Sequence, residues 1–142
     1  MTDYQTDEEI LKIRAGVNHD YEVHRNPNSA RAIREAEDND LDVVYPTAYQ
    51  LQLDIDTERA MQIFYELKPV LDKYYGIVGC VIEDSRSGFP KRHVTLTLRG
   101  TVTNMERIAL QACLGSDRVR ELLGVIQERA GDPHPTLFLE KR

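Results

Sequence analysis

Leu51-Gln52-Leu53-Asp54-Ile55-Asp56 is the stretch whose reading decides the fold. It reads as a buried strand that ends in two carboxylates with one apolar residue between them. Side chains on a strand alternate faces, so Asp54 and Asp56 share one face while Leu53 and Ile55 share the other. At roughly 3.3 Å of rise per residue the two carboxylates stand about 7 Å apart. A divalent cation resolves their repulsion, because hard ions such as Mg²⁺ take carboxylate oxygens. The alternative is local: Asp54 is a solvated strand-end residue, and Asp56 or Thr57 N-caps the following helix.

Downstream of this strand, residues 57–74 place Met61, Phe64, Leu67, Leu71 and Tyr74 at three- and four-residue spacings, which predicts an amphipathic helix containing Pro69. Residues 76–82 predict a second strand, followed by the polar loop Glu83-Asp84-Ser85-Arg86-Ser87-Gly88-Phe89-Pro90. Residues 91–99 alternate most cleanly: Val94, Leu96 and Leu98 face one way, and His93, Thr95, Thr97 and Arg99 the other. Thr103 and Glu106 form a capping box for a helix that breaks at Leu114-Gly115-Ser116-Asp117 and resumes to about Arg129. Residues 136–140 predict the last strand, with Leu137 and Leu139 on one face and Phe138 and Glu140 on the other.

Upstream, Thr6-Asp7-Glu8-Glu9 has the form of a capping box for a helix over 7–17, and Ser29 can cap a second helix to about Glu37. His19 and His24 between them read as surface residues, and Val43-Val44-Tyr45, broken by Pro46, reads as a strand edge or a bend. The expected organisation is one domain over 1–142, with 1–40 as a helical extension and 41–142 as the core.

At 142 residues the chain is long enough to bury a core without staples. Its net charge of −6 argues against a general nucleic-acid coat protein. The charge is uneven: residues 1–56 carry 13 acids and 5 bases, whereas 57–142 carry 11 acids and 13 bases. Within the second part Arg86, Lys91, Arg92, Arg99 and Arg107 form a sequence-local basic group that could meet phosphates, or be a solvated face. No apolar run reaches membrane-spanning length, and the N-terminus is acidic where a signal peptide is basic. Cys80 and Cys113 read as buried free thiols of a reducing compartment, so a cytoplasmic location is expected.

The core order β-α-β-β-α-β is the ferredoxin-like, or RRM-like, α+β arrangement. Right-handed crossovers give it the spatial strand order 4-1-3-2, with both helices on one apolar face. Parity then leaves Gln52, Asp54, Asp56, His93, Thr95, Thr97, Arg99, Phe138 and Glu140 together on the open face. Three carboxylates there, Asp54, Asp56 and Glu140, are expected to hold Mg²⁺ or Mn²⁺ and orient a phosphate. His93, Arg86, Ser87, Lys91 and Arg92 are the candidates for holding nucleotide phosphates.

These residues resemble the archaeo-eukaryotic primase, or primase-polymerase, superfamily. Leu53-Asp54-Ile55-Asp56 looks like its alternating acid pair. Ser85 to His93 looks like its Ser-Gly loop and strand-opening histidine, with Lys91 standing where a small residue is usual. Leu139-Glu140 looks like its final hydrophobic–acid pair. The resemblance covers roughly residues 41–142. It implies a metal-dependent nucleotidyltransferase of replication or repair, with Asp54, Asp56 and Glu140 on the metals and His93 on the incoming nucleotide. It also implies nucleotides, single-stranded nucleic acid and a replication protein as partners, and a minimal member encoded by a virus or mobile element. The competing readings are a non-catalytic RRM-like nucleic-acid-binding module and a protein-interaction or regulatory domain. Phe138 is the main open-face aromatic that could stack a base.

Overall fold

The computed structural model describes residues 35–85, 87–131 and 138–141, with the backbone alone for 139–141. The expected helix over 7–17, His19, His24 and Arg86 lie outside the described residues; of the helix expected from Ser29, residues 35–38 are described and are helical. The elements that follow are β1 (Leu41–Val44), β2 (Gln50–Ile55), α1 (Glu58–Tyr75), β3 (Ile77–Asp84), β4 (Arg92–Leu98), α2 (Asn104–Cys113), α3 (Arg118–Arg129) and β5 (Phe138–Lys141).

Three strands form an antiparallel sheet in the order β2-β4-β3. Leu51 lies opposite Leu96, Leu53 opposite Val94 and Asp54 opposite His93. The expected alternation therefore holds. Leu51, Leu53, Ile55, Val94, Leu96 and Leu98 line one face and are all buried. Burying each such side chain contributes about 1.5–3 kcal/mol, so this face is the main reason the sheet exists. Helix α1 covers it through Met61, Phe64 and Leu71. Thr57 starts the helix by accepting from the Ala60 N–H at 3.0 Å, and Gly76 at φ 71° ends it. Its apolar stripe is narrower than the spacing predicts: Leu67 and Tyr74 stay exposed on the outer side. The two cysteines are free as expected but not buried, Cys80 being half-buried and Cys113 exposed.

The strand order departs from 4-1-3-2 at its first member. The last strand, β5, pairs antiparallel with β1, Phe138 opposite Val44 and Glu140 opposite Asp42. It does not pair with β2, because β2's outer backbone groups are already taken by side chains and backbone of the α2–α3 region. The molecule is an α+β domain with this three-stranded sheet at its centre. The face expected to be open is also partly covered: Gln52 is buried and donates to the Val44 carbonyl at 3.3 Å, and the buried Phe138 ring stacks on His93 at 3.9 Å.

A candidate metal centre at the clamped edge of the sheet

A bare strand edge leaves backbone donors and acceptors unpaired, and burying them unpaired is costly. Along β2 each is met. Arg107 Nε donates to the Gln50 carbonyl at 2.9 Å, and the Gln52 N–H donates to Gln111 Oε1 at 2.7 Å. Arg120 Nη1 donates to the Gln52 carbonyl at 2.7 Å. The Asp54 peptide is held from both sides: its N–H donates to Ser116 Oγ at 3.0 Å, and its carbonyl accepts from the Asp117 N–H at 2.8 Å.

The turn that brings Ser116 and Asp117 to β2 depends on Gly115. Its φ is 94°, and a Cβ there would meet the Ala60 carbonyl oxygen at 2.6 Å. Only glycine permits both the conformation and the approach. Beneath the turn lies Glu121, 2% exposed. Its carboxylate accepts from Ser116 Oγ at 2.6 Å, Gln111 Nε2 at 2.9 Å and Arg120 Nη1 at 3.0 Å. Burial pushes the Glu121 pKa up, while Arg120 and the donors from Ser116 and Gln111 oppose the rise. Two buried atoms of this network, Gln52 Oε1 and Arg120 Nη2, have no hydrogen-bond partner among the described residues.

The clamp has a chemical consequence. It sets Asp117 beside the acid pair, and carboxylate oxygens of Asp54, Asp56 and Asp117 all lie within 4.8 Å of one another. Asp54 is pushed above its ordinary pKa of 3.8 mainly by burial, with the Asp117 charge adding and Arg120 and Lys91 opposing. Asp56 is raised by burial first, then by the charges of Asp54 and Asp117 and by its hydrogen bond with Asp117. Burial first, and then the mutual repulsion of the carboxylates, disfavours their charged forms. Three hard oxygen donors of this kind fit Mg²⁺ or Mn²⁺. His93 Nε2 lies 3.9 Å from Asp54 Oδ1, so the imidazole borders the cluster.

The expected site residues divide into those the structure gathers and those it does not. Asp54, Asp56 and His93 come together, and the charge of Lys91 reaches both aspartates. Thr57, not Asp56, caps α1, which leaves Asp56 for the cluster. Glu140 lies on β5, paired through its backbone with Asp42, and its side chain lies outside the described residues. Ser87 lies in the β3–β4 turn, where its N–H donates to Ser85 Oγ at 3.3 Å. Arg92 turns away from the cluster, with its guanidinium 5.6 Å from the Phe89 ring and 3.8 Å from Asp84. Arg107 is removed from any phosphate-binding role, because its guanidinium is buried and donates to the Thr47 and Gln50 carbonyls. Phe138, expected as an open-face stacking ring, is buried between His93 and Arg120, the latter 5.2 Å from its ring.

Asp117 is the member that sequence reasoning missed. Its visible signal is that of a helix N-cap, and it does accept from the Val119 N–H at 2.9 Å. The Gly-Ser-Asp turn between two helices marks a sharp reversal, and nothing in it names the strand it docks on. No helix among the described residues is long and apolar enough to cross a membrane. No protein-family model, curated protein or solved structure matches this chain.

Proposed function

We propose that the chain is a divalent-cation-dependent nucleotidyltransferase of the primase-polymerase kind, acting on nucleotides and single-stranded nucleic acid in replication or repair. The observation that carries this reading is the convergence of Asp54, Asp56 and Asp117 within 4.8 Å beside His93. Asp54, Asp56 and Asp117 would hold Mg²⁺ or Mn²⁺, with Glu140 as a further candidate ligand from β5. When bound, such an ion neutralises phosphate charge and stabilises the oxygens of an in-line displacement. The residues themselves do the rest. The β2 clamp fixes the Asp54 peptide, so the carboxylates are positioned before any ligand arrives. Lys91 supplies an exposed positive charge that reaches both aspartates, suited to a triphosphate. His93, held flat against Phe138, can present a ring N–H to a phosphate oxygen.

The test is Mn²⁺ titration of the full chain followed by electron paramagnetic resonance, paired with nucleotide incorporation on a primed single strand. The reading expects one or two bound Mn²⁺ ions (on the order of the two-metal sites of such enzymes), and loss of both binding and incorporation in Asp54→Asn. Absence of Mn²⁺ binding by the wild-type chain, or incorporation undiminished in Asp54→Asn, would overturn it.

A further inference from the structure

We propose that the outer edge of β3 pairs antiparallel with the same strand of a second copy, joining two three-stranded sheets into one of six strands. This inference does not depend on the metal reading.

The two edges of the sheet are treated in opposite ways. At β2 the outward backbone groups of Gln50, Gln52 and Asp54 are all taken up. In an antiparallel ladder the residues that turn their amides to one neighbour alternate with those that turn to the other. Since Gln52 and Asp54 point outward, Leu51 and Leu53 bond to Leu96 and Val94. The amides of Thr95 and His93 then meet Val81 and Glu83 of β3. Cys80 and Ile82 are left with their N–H and C=O groups turned outward, and among the described residues no hydrogen bond from another segment reaches them.

The irregularity at Ile77–Gly79 and the acids Glu83 and Asp84 lie toward the two ends of this edge, and its middle, Cys80 to Ile82, is regular and uncharged. Its eight residues contain no Pro and no Lys. Val78 is 62% exposed, Val81 53% and Ile82 38%. A long, apolar, unpaired edge is a template for another strand.

The charges identify that strand as the same one from another copy. Glu83 and Asp84 stand at the C-terminal end of β3 and are exposed. Arg99 stands at the other end: its N–H donates to the Gly76 carbonyl at 2.8 Å, and its guanidinium carbon lies 3.2 Å from where a Gly76 Cβ would be. Antiparallel pairing about a two-fold axis near Cys80 and Val81 sets the acidic end of each copy against Arg99 of the other. Asp84 already faces Arg92 within its own chain at 3.8 Å, so Glu83 is the residue offered across the axis. A surface that complements itself in this way is what an isologous dimer requires.

The experiment is sedimentation velocity with light scattering on the full chain over a concentration series, with circular dichroism to confirm folding. A dimer is expected for the wild type. Val81→Lys, which puts a charge on the apolar edge, is expected to give a folded monomer. Glu83→Arg is expected to weaken dimerisation by about tenfold or more, and adding Arg99→Glu to it is expected to restore the dimer. The last pair lies on exposed positions and tests the geometry even where Val81→Lys unfolds the chain. A wild type that stays monomeric throughout, a dimer that survives both Val81→Lys and Glu83→Arg, or open-ended assembly beyond the dimer would overturn the proposal.

Discussion

Replacing Glu121 tests whether the clamp on β2 holds the candidate site together. Its buried carboxylate accepts three hydrogen bonds, from Gln111, Ser116 and Arg120. Removing it in Glu121→Ala strands the Arg120 guanidinium and two neutral donors, a change that costs about 3–5 kcal/mol when a buried pair is broken. That approaches the whole stability of a domain, typically about 5–15 kcal/mol, so the alanine variant confuses loss of site with loss of fold. Glu121→Gln keeps the shape. The new amide can accept on one oxygen only, so its nitrogen faces either the Gln111 amide or both the Ser116 hydroxyl and the Arg120 guanidinium, and at least one donor goes unmatched at about 1–3 kcal/mol. Gln111 cannot rotate to compensate without releasing the Gln52 N–H that it accepts. The variant should therefore fold and lose about 1–3 kcal/mol in urea denaturation. Its Mn²⁺ affinity should fall as well, because Ser116 and Asp117 are held to the Asp54 peptide through this network. Hydrogen exchange at the Asp54 and Asp117 amides, read by mass spectrometry or NMR, should accelerate before global unfolding. A Glu121→Gln variant with wild-type stability and unchanged protection at those two amides would refute the clamp.

Other substitutions probe the cluster directly. Asp54→Asn removes one of three repelling charges while leaving the Asp54 backbone bonds intact, so metal-free protein should gain about 0.5–2 kcal/mol near neutral pH, measured as a higher melting temperature. The pH dependence has a definite sign. Asp54 and Asp56 have folded pKa values above the ordinary 3.8, so their contribution to stability is fully present below 3.8 and is lost as pH rises through the raised values. The Asp54→Asn gain should thus disappear at the acidic end of a melting series; a gain independent of pH would contradict it. Mn²⁺ affinity should rise with pH over that same window, since the ion competes with protons for these oxygens. Gly115→Ala forces a side chain to φ 94° and against the Ala60 carbonyl. It should cost at least about 1–3 kcal/mol and weaken Mn²⁺ binding more than a core substitution of equal cost, such as one at Leu71.

The centre of the sheet was legible because Leu51-Leu53-Ile55 and Val94-Leu96-Leu98 alternate with period two against one buried face, and Thr103–Glu106 announced its helix by side chains that meet locally. Its outer edge was not legible. Arg107, Gln111 and Arg120 are polar residues that helical periodicity assigns to solvent, and Ser116 lies in the turn between the two helices, yet all four meet the backbone of a strand about 60 positions away. Parity correctly put Phe138 and His93 on one face, but parity says nothing about what covers a face, and here the two rings cover each other. The expected strand order and the observed acid cluster are in fact exclusive alternatives. The outward N–H and C=O of Asp54 can be met by a fourth strand or by Ser116 and Asp117. A ferredoxin-like β5 on this edge would displace the turn that carries Asp117. By pairing β5 with β1 instead, the chain keeps that edge for the α2–α3 turn and so brings a third carboxylate to the acid pair that its sequence displays.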